Sequence, residues 1–426
     1  MTLTMRKKLS LAVATITLAS SVSANQLADL YQQARSYDAQ LLSAQAQSNA
    51  GQLGIDIAKS YLAPNVSLDA SATRSSAAQG DATSSGMTLS VSQPIFNLQT
   101  VAGYEQAQAL SDQAKLALEI AEQGIVIRVV NAYLDILSAQ ATLEVAESRE
   151  RALQRRLDQV NAQFDVGLIA ITDVLEARAS YDEALVGVID AEGKLANSFE
   201  AMERLTGQPM NQAAPLSPDY PITGLKETDT EQWVYKALQG NLSLKSALLG
   251  QQAADSNLEK FKAAGLPTVN LTASLNEGND SYTARSDYSF GVRLTMPLFN
   301  GGRTGSEETK AAYEAEKARH DYDDTLREVT QQTRELVRGI ETSTASVTAR
   351  QKSIESRETA LEATEQGFEV GTRNVVDVLD AENALYVARQ AYADSRLNHI
   401  RTQFNLKSTV GTLSPQDLEA LDGWLK

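Results

Sequence analysis

Two aspartates, Asp377 and Asp380, are the residues whose type and spacing best suit chemistry. Three positions apart on one helix, their carboxylates share a face, which suits the binding of cations or, in an enzyme, acid and base catalysis. The surrounding sequence offers no lid, aromatic subsite or apolar pocket to separate their pKa values, as an acid/base pair requires. We therefore predict that the protein is not an enzyme.

Other reactive groups are scarce. The chain has no cysteine, which excludes disulfides, thiolate metal sites and a cysteine nucleophile. Its two histidines, His320 and His399, have no clustered partners, so we predict neither a metal nor a cofactor. The glycine-rich stretch 301–306 resembles a phosphate-binding loop but lacks its lysine, and we interpret it as a strand-to-helix connection.

Charge and composition narrow the class of protein further. The 426 residues include 38 basic and 54 acidic side chains, a net charge of −16 that argues against binding nucleic acid. A hydrophobic content of 42% with only 6% aromatic residues is typical of a helix-rich chain.

The first residues have the pattern of a secretory signal peptide. Arg6, Lys7 and Lys8 precede a short apolar run, and small residues end at Ala24, so we predict cleavage of residues 1–24. No other apolar run reaches 18 residues. Entry of the mature chain into a membrane would therefore require strands closed into a barrel.

The rest of the chain is an internal duplication. The segment 164–167 recurs at 368–371 and the segment 173–177 at 377–381, each 204 residues later, and Pro64 and Pro94 recur as Pro267 and Pro297. We predict one repeat over 25–207 and a second over 231–411, joined by a proline-rich linker at 208–230 and followed by a tail at 412–426.

Each repeat contains proline-free stretches with a heptad rhythm, which predicts coiled-coil helices. In the first repeat, apolar residues recur every seven positions: Ile125, Ala132, Ala139, Ala146, Leu153 and Val160. We predict long helices at 99–164 and 303–368, each about 100 Å long. Shorter helices are expected at 27–62, 168–206, 232–264 and 372–410, six in all, with antiparallel turns at 166–168 and 370–372.

Alternating apolar and polar residues predict two strands in each repeat, at about 64–75 and 85–94, then 267–278 and 287–297. Each is about ten residues, the length that a tilted strand needs to cross a bilayer. Four strands cannot close on themselves, so several chains must contribute. Eight, twelve or sixteen strands satisfy this argument, and twelve leave an open lumen.

The repeats, the strand pairs and the turn segments 166–174 and 370–381 together resemble the TolC family of outer-membrane channel proteins. The resemblance implies a homotrimer. Its fold would combine a 12-stranded transmembrane β-barrel with a periplasmic α-helical coiled-coil barrel, in the outer membrane of a Gram-negative bacterium. It implies a passive exit duct for drugs, small toxic molecules or proteins, used by efflux pumps or type I secretion.

The resemblance also implies partners: a periplasmic adaptor protein, an inner-membrane transporter of the RND or ABC type, and outer-membrane lipid. An alternative is a periplasmic coiled-coil adaptor or scaffold. That class explains the long helices and the export signal, but it does not explain four amphipathic strands of membrane length.

Site residues follow from the same resemblance, position by position. Asp377 and Asp380 would form an acidic ring that selects cations at the periplasmic constriction. A gate latch would use Thr172, Asp173, Arg373 and Arg396, at a position where Phe368 replaces the tyrosine of the best-known member and so lacks its hydroxyl. The turns that meet the adaptor would be Val166, Gly167 and Leu168 in the first repeat, and Val370, Gly371 and Thr372 in the second.

Overall fold

The computed structural model describes residues 26–77, 80–279 and 283–426. The predicted signal peptide, 1–24, lies outside them. Within these ranges the elements in chain order are α1 (Gln26–Tyr37), α2 (Ala39–Ser60), β1 (Asn65–Ala77), β2 (Gly80–Phe96), α3 (Leu98–Asp165), α4 (Ile171–Thr206), α5 (Thr230–Gly240), α6 (Leu242–Ala263), β3 (Thr268–Asn279), β4 (Ala284–Thr295), α7 (Arg303–Glu369), α8 (Val375–Val410) and α9 (Pro415–Asp422). None of the described helices is long and apolar enough to span a membrane.

The two long helices confirm the heptad prediction. They are α3, with 68 residues, and α7, with 67, and each packs against the helix that follows its turn. The apolar heptad residues Ile125 and Val160 of α3 are fully buried. Thr333, the polar exception on α7, is also buried, because its hydroxyl donates to the Val329 carbonyl one turn back at 2.7 Å. A satisfied hydroxyl removes most of the cost of that burial.

The expected six helices become nine in the described residues. Two predicted helices divide because Asp38 and Asn241 cap new starts, accepting from the amides of Leu41 at 2.7 Å and Leu244 at 2.8 Å. Asp38 and Asn241 are themselves repeat mates, 203 positions apart. The ninth helix, α9, lies in the tail, where we had predicted no element.

The four strands form one antiparallel sheet in the order β1-β2-β3-β4. Its register places the apolar residues of every strand in common rows, for example Leu68, Leu89, Leu275 and Tyr288. One face of the sheet is therefore continuously apolar, as the alternation predicted. β2 is longer than expected and continues to Phe96 past a bulge at Pro94. In the sheet, β1 and β4 each pair along one edge only.

The tail packs against the linker and the start of α1. The Lys426 amide donates to the Pro215 carbonyl at 3.0 Å, and Leu425 forms a bridge with Leu216. The buried Asp422 accepts from the Leu27 amide at 3.0 Å, at the start of α1. A large apolar cluster joins α1, α3, α8 and α9 there, so the two ends of the described chain and the linker pack together.

Candidate functional site

Both hairpin turns lie at one end of the molecule, which we call the turn end: the turns at 166–170 and 370–374 with the adjoining helical residues. A separate apolar cluster shows this, because it contains Leu153 and Val160 of α3, Ala177 of α4, and Val375 and Leu379 of α8. The predicted site residues of the two repeats, 204 positions apart, are thus brought to the same end.

A left-handed glycine makes each turn. Gly167 has φ of 73° and Gly371 has φ of 75°, a conformation that costs other residues strain. The amides that follow bond back to the preceding helix, Leu168 to the Gln163 carbonyl at 2.9 Å and Thr372 to the Gly367 carbonyl at 2.8 Å. These are the usual C-terminal caps of helices, and they fix the turns.

The turns expose apolar side chains. Val166 is 70% exposed, and Leu168 and Val370 are each 74% exposed. Thr372 is also exposed, and its hydroxyl donates to the Gly367 carbonyl at 3.0 Å. Exposed apolar residues grouped at one end of a molecule are typical of a contact surface for another protein.

Asp377 has a structural role in addition to its charge. Its carboxylate accepts from the Asn374 amide at 3.2 Å, while its own amide donates to the Asn374 side chain at 2.9 Å. This capping box begins α8. Arg373 approaches the same carboxylate to 3.9 Å, which makes an ion pair at the turn.

Asp380 lies one turn further along α8 and is exposed, whereas Asp377 is half-buried. The repeat mates of this pair are Asp173 and Glu176 of α4. The N-cap position of α4 is Ala170, whose methyl group cannot accept a hydrogen bond. The first turn of α4 therefore lacks a capping box.

The structure brings some of the predicted latch residues together, but not all of them. Thr172, Asp173 and Arg373 all lie at the turn end. In the described part of one protomer, Arg373 pairs with Asp377 and makes no ion pair with Asp173. Contact between Arg373 and Asp173 therefore stays a prediction.

Arg396 does not join the other latch residues within the protomer. It lies 23 positions after Arg373 on the same chain, about 35 Å along α8 at the helical rise. Its guanidinium donates to the carbonyls of Ser217 at 2.6 Å and Pro218 at 3.3 Å, in the linker. Within the protomer, Arg396 fastens the linker rather than the turn end, which sequence position alone did not reveal.

Phe368 packs into the apolar cluster of the turn end, beside residues of both hairpins. It is half-buried, so its ring contributes apolar contact at the position where the resemblance places a hydroxyl. Its contribution there is packing rather than hydrogen bonding.

Sequence reasoning missed one charged group near the turn end. Arg156 of α3 pairs with Glu365 of α7 at 2.5 Å and with Glu382 of α8 at 3.0 Å. A signal was present: Arg156 lies three positions after the buried Leu153, and Glu382 seven positions after the buried Val375, so both charges fall on apolar helix faces.

Among the residues that the structure describes, no three His, Asp or Glu side chains group to hold a metal ion. His399 is fully buried, with Nδ1 at 2.8 Å from the Ser343 hydroxyl and Nε2 at 2.9 Å from Gln403. Burial lowers the pKa of His399 below its usual value. Of the glycine-rich stretch 301–306, Gly301 and Gly302 end the connection from β4 to α7, and 303–306 form the first turn of that helix, which Gly302 caps.

Comparison with known proteins gives a consistent result. A family described as outer membrane efflux protein matches twice, over residues 30–208 and 233–412. The outer membrane protein TolC of Vibrio cholerae is 34% identical over 422 residues, with 96% of each chain covered.

Two further similarities bear on the fold and on relatives in secretion. The alkaline protease secretion protein AprF of Pseudomonas aeruginosa is 28% identical, with 78% of this chain and 70% of the relative covered. The crystal structure of the outer membrane protein VceC from Vibrio cholerae matches with a TM-score of 0.81 at 19% identity, over 91% of this chain and 98% of that one.

Proposed function

The chain belongs to the outer membrane efflux protein family, and from this membership we propose that it is the exit duct of an export system. The protein lies in the outer membrane and extends into the periplasm. Three copies form a passive conduit that receives substrates from an inner-membrane pump and releases them outside. It is a conduit rather than an enzyme.

One observation carries this proposal: each protomer has an amphipathic four-stranded sheet at one end and exposed turns at the other, separated by helices of about 100 Å. β1 and β4 leave unpaired edges, and an unpaired edge in lipid costs several kcal/mol for each backbone group. Three copies supply twelve strands, which closes the sheet and leaves room for a lumen. The alternative function, a periplasmic coiled-coil scaffold, does not account for this amphipathic sheet.

The turn end is the gate of the proposed duct. Threefold symmetry brings three copies of Asp377 and Asp380 together, and six carboxylates at a constriction favour cations. Arg373, from the turn before α8, holds the resting arrangement by reaching Asp173 and Thr172 of a neighbouring copy. The capping box holds the Asp377 carboxylate in one direction, which supports the proposed ring of carboxylates.

The exposed turn residues Val166, Leu168 and Val370 supply the contact with a periplasmic adaptor protein. The adaptor connects the duct to an inner-membrane transporter of the RND or ABC type. The similarity to both TolC and a protease secretion protein supports transport of small molecules, of proteins, or of both.

Reconstitution tests the proposal directly. We expect the purified protein to have the mass of three chains by light scattering and to give discrete single-channel currents in planar bilayers. Deletion in the native host should increase sensitivity to toxic small molecules. A monodisperse monomer that produces no current would contradict the proposal.

A further inference from the structure

Arg156 connects the two hairpins of the protomer. The hairpins are α3 with α4 and α7 with α8, and Arg156 belongs to α3. Its Nη2 lies 2.5 Å from Glu365 on α7 and 3.0 Å from Glu382 on α8, and its Nη1 donates to Gln159 at 2.9 Å. One side chain therefore fastens α3 to both helices of the other hairpin. We call Arg156, Glu365 and Glu382 the Arg156 cluster.

Two of the three side chains of the cluster are shielded from water. The side chains of Arg156 and Glu382 are 8% and 7% exposed, whereas Glu365 is 43% exposed. The Arg156 Nε and the Glu382 Oε2 are buried without a hydrogen-bond partner. A buried ion pair with unsatisfied atoms holds two elements less firmly than good apolar packing does. Its presence here calls for an explanation other than stability alone.

The other repeat does without this arrangement. The repeat mates of Arg156 and Glu382 are Ala360 and Arg178, and both are exposed. The repeated unit therefore folds with or without a buried ion pair at these positions. The pair is part of the contact between α3 and α8, which also includes the ion pair of Asp135 with Arg401 further from the turns.

The cluster lies close to the proposed gate. Arg156 is nine residues before the end of α3, and Glu382 is seven residues after the start of α8, so both are about 10–15 Å from the turns. The buried residues Leu153, Val160 and Leu379 lie at the same height along the helices. They belong to the apolar cluster at the turn end, which we call the turn-end cluster. Any movement that separates the two hairpins at the turn end must break the ion pairs and expose these residues.

We infer that the Arg156 cluster is a proton-dependent fastening between the two hairpins, in which Glu382 sets how firmly the turn end stays closed. This inference rests on the proposed function, since the closed and open states are those of the duct. The fastening lies within one protomer and is distinct from the contact of Arg373 with a neighbouring copy.

The groups facing Glu382 fix the sign of the pH dependence. Burial raises the pKa of Glu382, while Arg156 and Arg155 of α3 oppose the rise and Glu365 of α7 adds to it. Tyr386, one turn further on α8, also lies near Glu382. When the hairpins separate, Glu382 meets water and its pKa returns towards the ordinary value. The closed state therefore binds the proton more tightly, so acid favours closure and a rise in pH through the raised pKa weakens it.

The absence of cysteine allows a clean test. Val160→Cys places a thiol where the side chain is 0% exposed, in the turn-end cluster. Leu168→Cys, at an exposed turn position, serves as the reference for the intrinsic pH dependence of thiol labelling. The labelling rate of Cys at position 160, divided by that at 168, then reports opening in the purified full-length protein in detergent.

We expect this ratio to rise with pH, by at most about tenfold per pH unit, the limit for one linked proton. Glu382→Gln, which imitates the protonated acid, should remove the rise and hold the ratio at its acidic value. Arg156→Gln leaves the carboxylate without its cation and should shift the rise to higher pH. Arg151→Gln, which breaks an exposed ion pair with Glu147 on the same helix, is the matched control and should change nothing.

Two results would overturn the inference: the same pH profile in the parent protein and in Glu382→Gln, or no shift with Arg156→Gln. If Arg156→Gln does not fold, Arg156→Met combined with Glu382→Met replaces the pair by apolar contact and should give a low ratio at every pH. A pH-dependent ratio in that double variant would equally refute the fastening. Bilayer currents separate the two proposals, because labelling that responds in a protein without current would refute only the duct.

Discussion

Asn374 and Asp377 cap each other at the start of α8, each side chain accepting a hydrogen bond from the other's backbone amide, at 2.9 and 3.2 Å. The corresponding positions on α4 are Ala170 and Asp173. The methyl side chain of Ala170 cannot accept a hydrogen bond from the Asp173 amide. The two hairpins therefore begin their second helices differently. The turn before α8 is fixed, and with it the direction of the Asp377 carboxylate.

The asymmetry of the caps predicts opposite effects of two substitutions. Asn374→Ala should destabilise the first turn of α8 by about 1 kcal/mol, the usual loss for a removed cap. Ala170→Asn should stabilise the first turn of α4 by a similar amount, because Asp173 already stands at the position that completes the box. Amide hydrogen exchange of the two first turns measures both. Equal exchange in parent and variants would contradict the prediction.

The acidic pair predicts cation selectivity. Asp380→Asn removes three of the six carboxylates from the trimer without touching the capping box, so block by a trivalent cation should weaken about tenfold, or ~1.4 kcal/mol. Asp377→Asn keeps an oxygen for the cap and should have a comparable effect. Glu176 is the repeat mate of Asp380, and Glu176→Gln serves as the control that should leave the block unchanged. Block is measured in planar bilayers. Block that survives in both aspartate variants would place the selectivity elsewhere.

The two arginines of the expected latch should now behave differently. Arg373→Ser removes a charge at the turn end, and we expect single-channel conductance to increase severalfold. Arg396→Ser removes bonds to the Ser217 and Pro218 carbonyls, so it should lower thermal stability while conductance stays near that of the parent protein. A conductance increase in Arg396→Ser alone would show that the linker contact controls the gate.

Asp422 predicts a pH-dependent contribution to stability. Burial raises the pKa of Asp422, although the amides of Leu27 and Ala28 oppose this by hydrogen bonding. The pKa of Asp422 is higher in the folded than in the unfolded protein, so its neutral form adds to the free energy of unfolding. This stabilisation is complete below about pH 4 and is lost as the pH rises through the folded pKa. Asp422→Asn keeps an acceptor for Leu27 without the buried charge.

We therefore expect Asp422→Asn to melt at a higher temperature than the parent at pH 7, with the difference disappearing near pH 4. Asp422→Ala, which leaves the Leu27 amide without its partner, should melt lower at both pH values. Thermal melts of the three proteins at each pH measure this. A lower melting temperature of Asp422→Asn at pH 7 would mean that the charge stabilises the fold.

The faces of the sheet can be distinguished by a matched pair on β3. Ala273 lies in the apolar row with Val66, Val91 and Phe290, and Thr272 lies on the opposite face. Ala273→Arg should cost about 2–4 kcal/mol if the row faces lipid near the bilayer midplane. Thr272→Arg should assemble normally and change only conductance. The yield of trimer in outer-membrane fractions measures the difference, and equal yields would contradict the assignment of the faces.

The sequence by itself determined the repeating elements of this protein. Heptads predicted α3 and α7 to within one residue at each end, because the burial of a helix stripe depends on a period that the backbone imposes locally. Alternation likewise predicted four strands, and the constant offset between Gly167 and Gly371 predicted two equivalent turns. Alternation and period did not predict the paired helix breaks at Asp38 and Asn241, because each depends on a single capping side chain.

Only the tertiary structure decided which distant residues meet. Arg156 reaches Glu382 across 226 positions, and Arg396 reaches Ser217 across 179, through the packing of one repeat against the other and of the linker against α8. The tail residue Asp422 reaches Leu27 across 395 positions. Period and alternation describe one element at a time, whereas these contacts depend on how separate elements are placed, and that placement is fixed by the fit of their buried side chains.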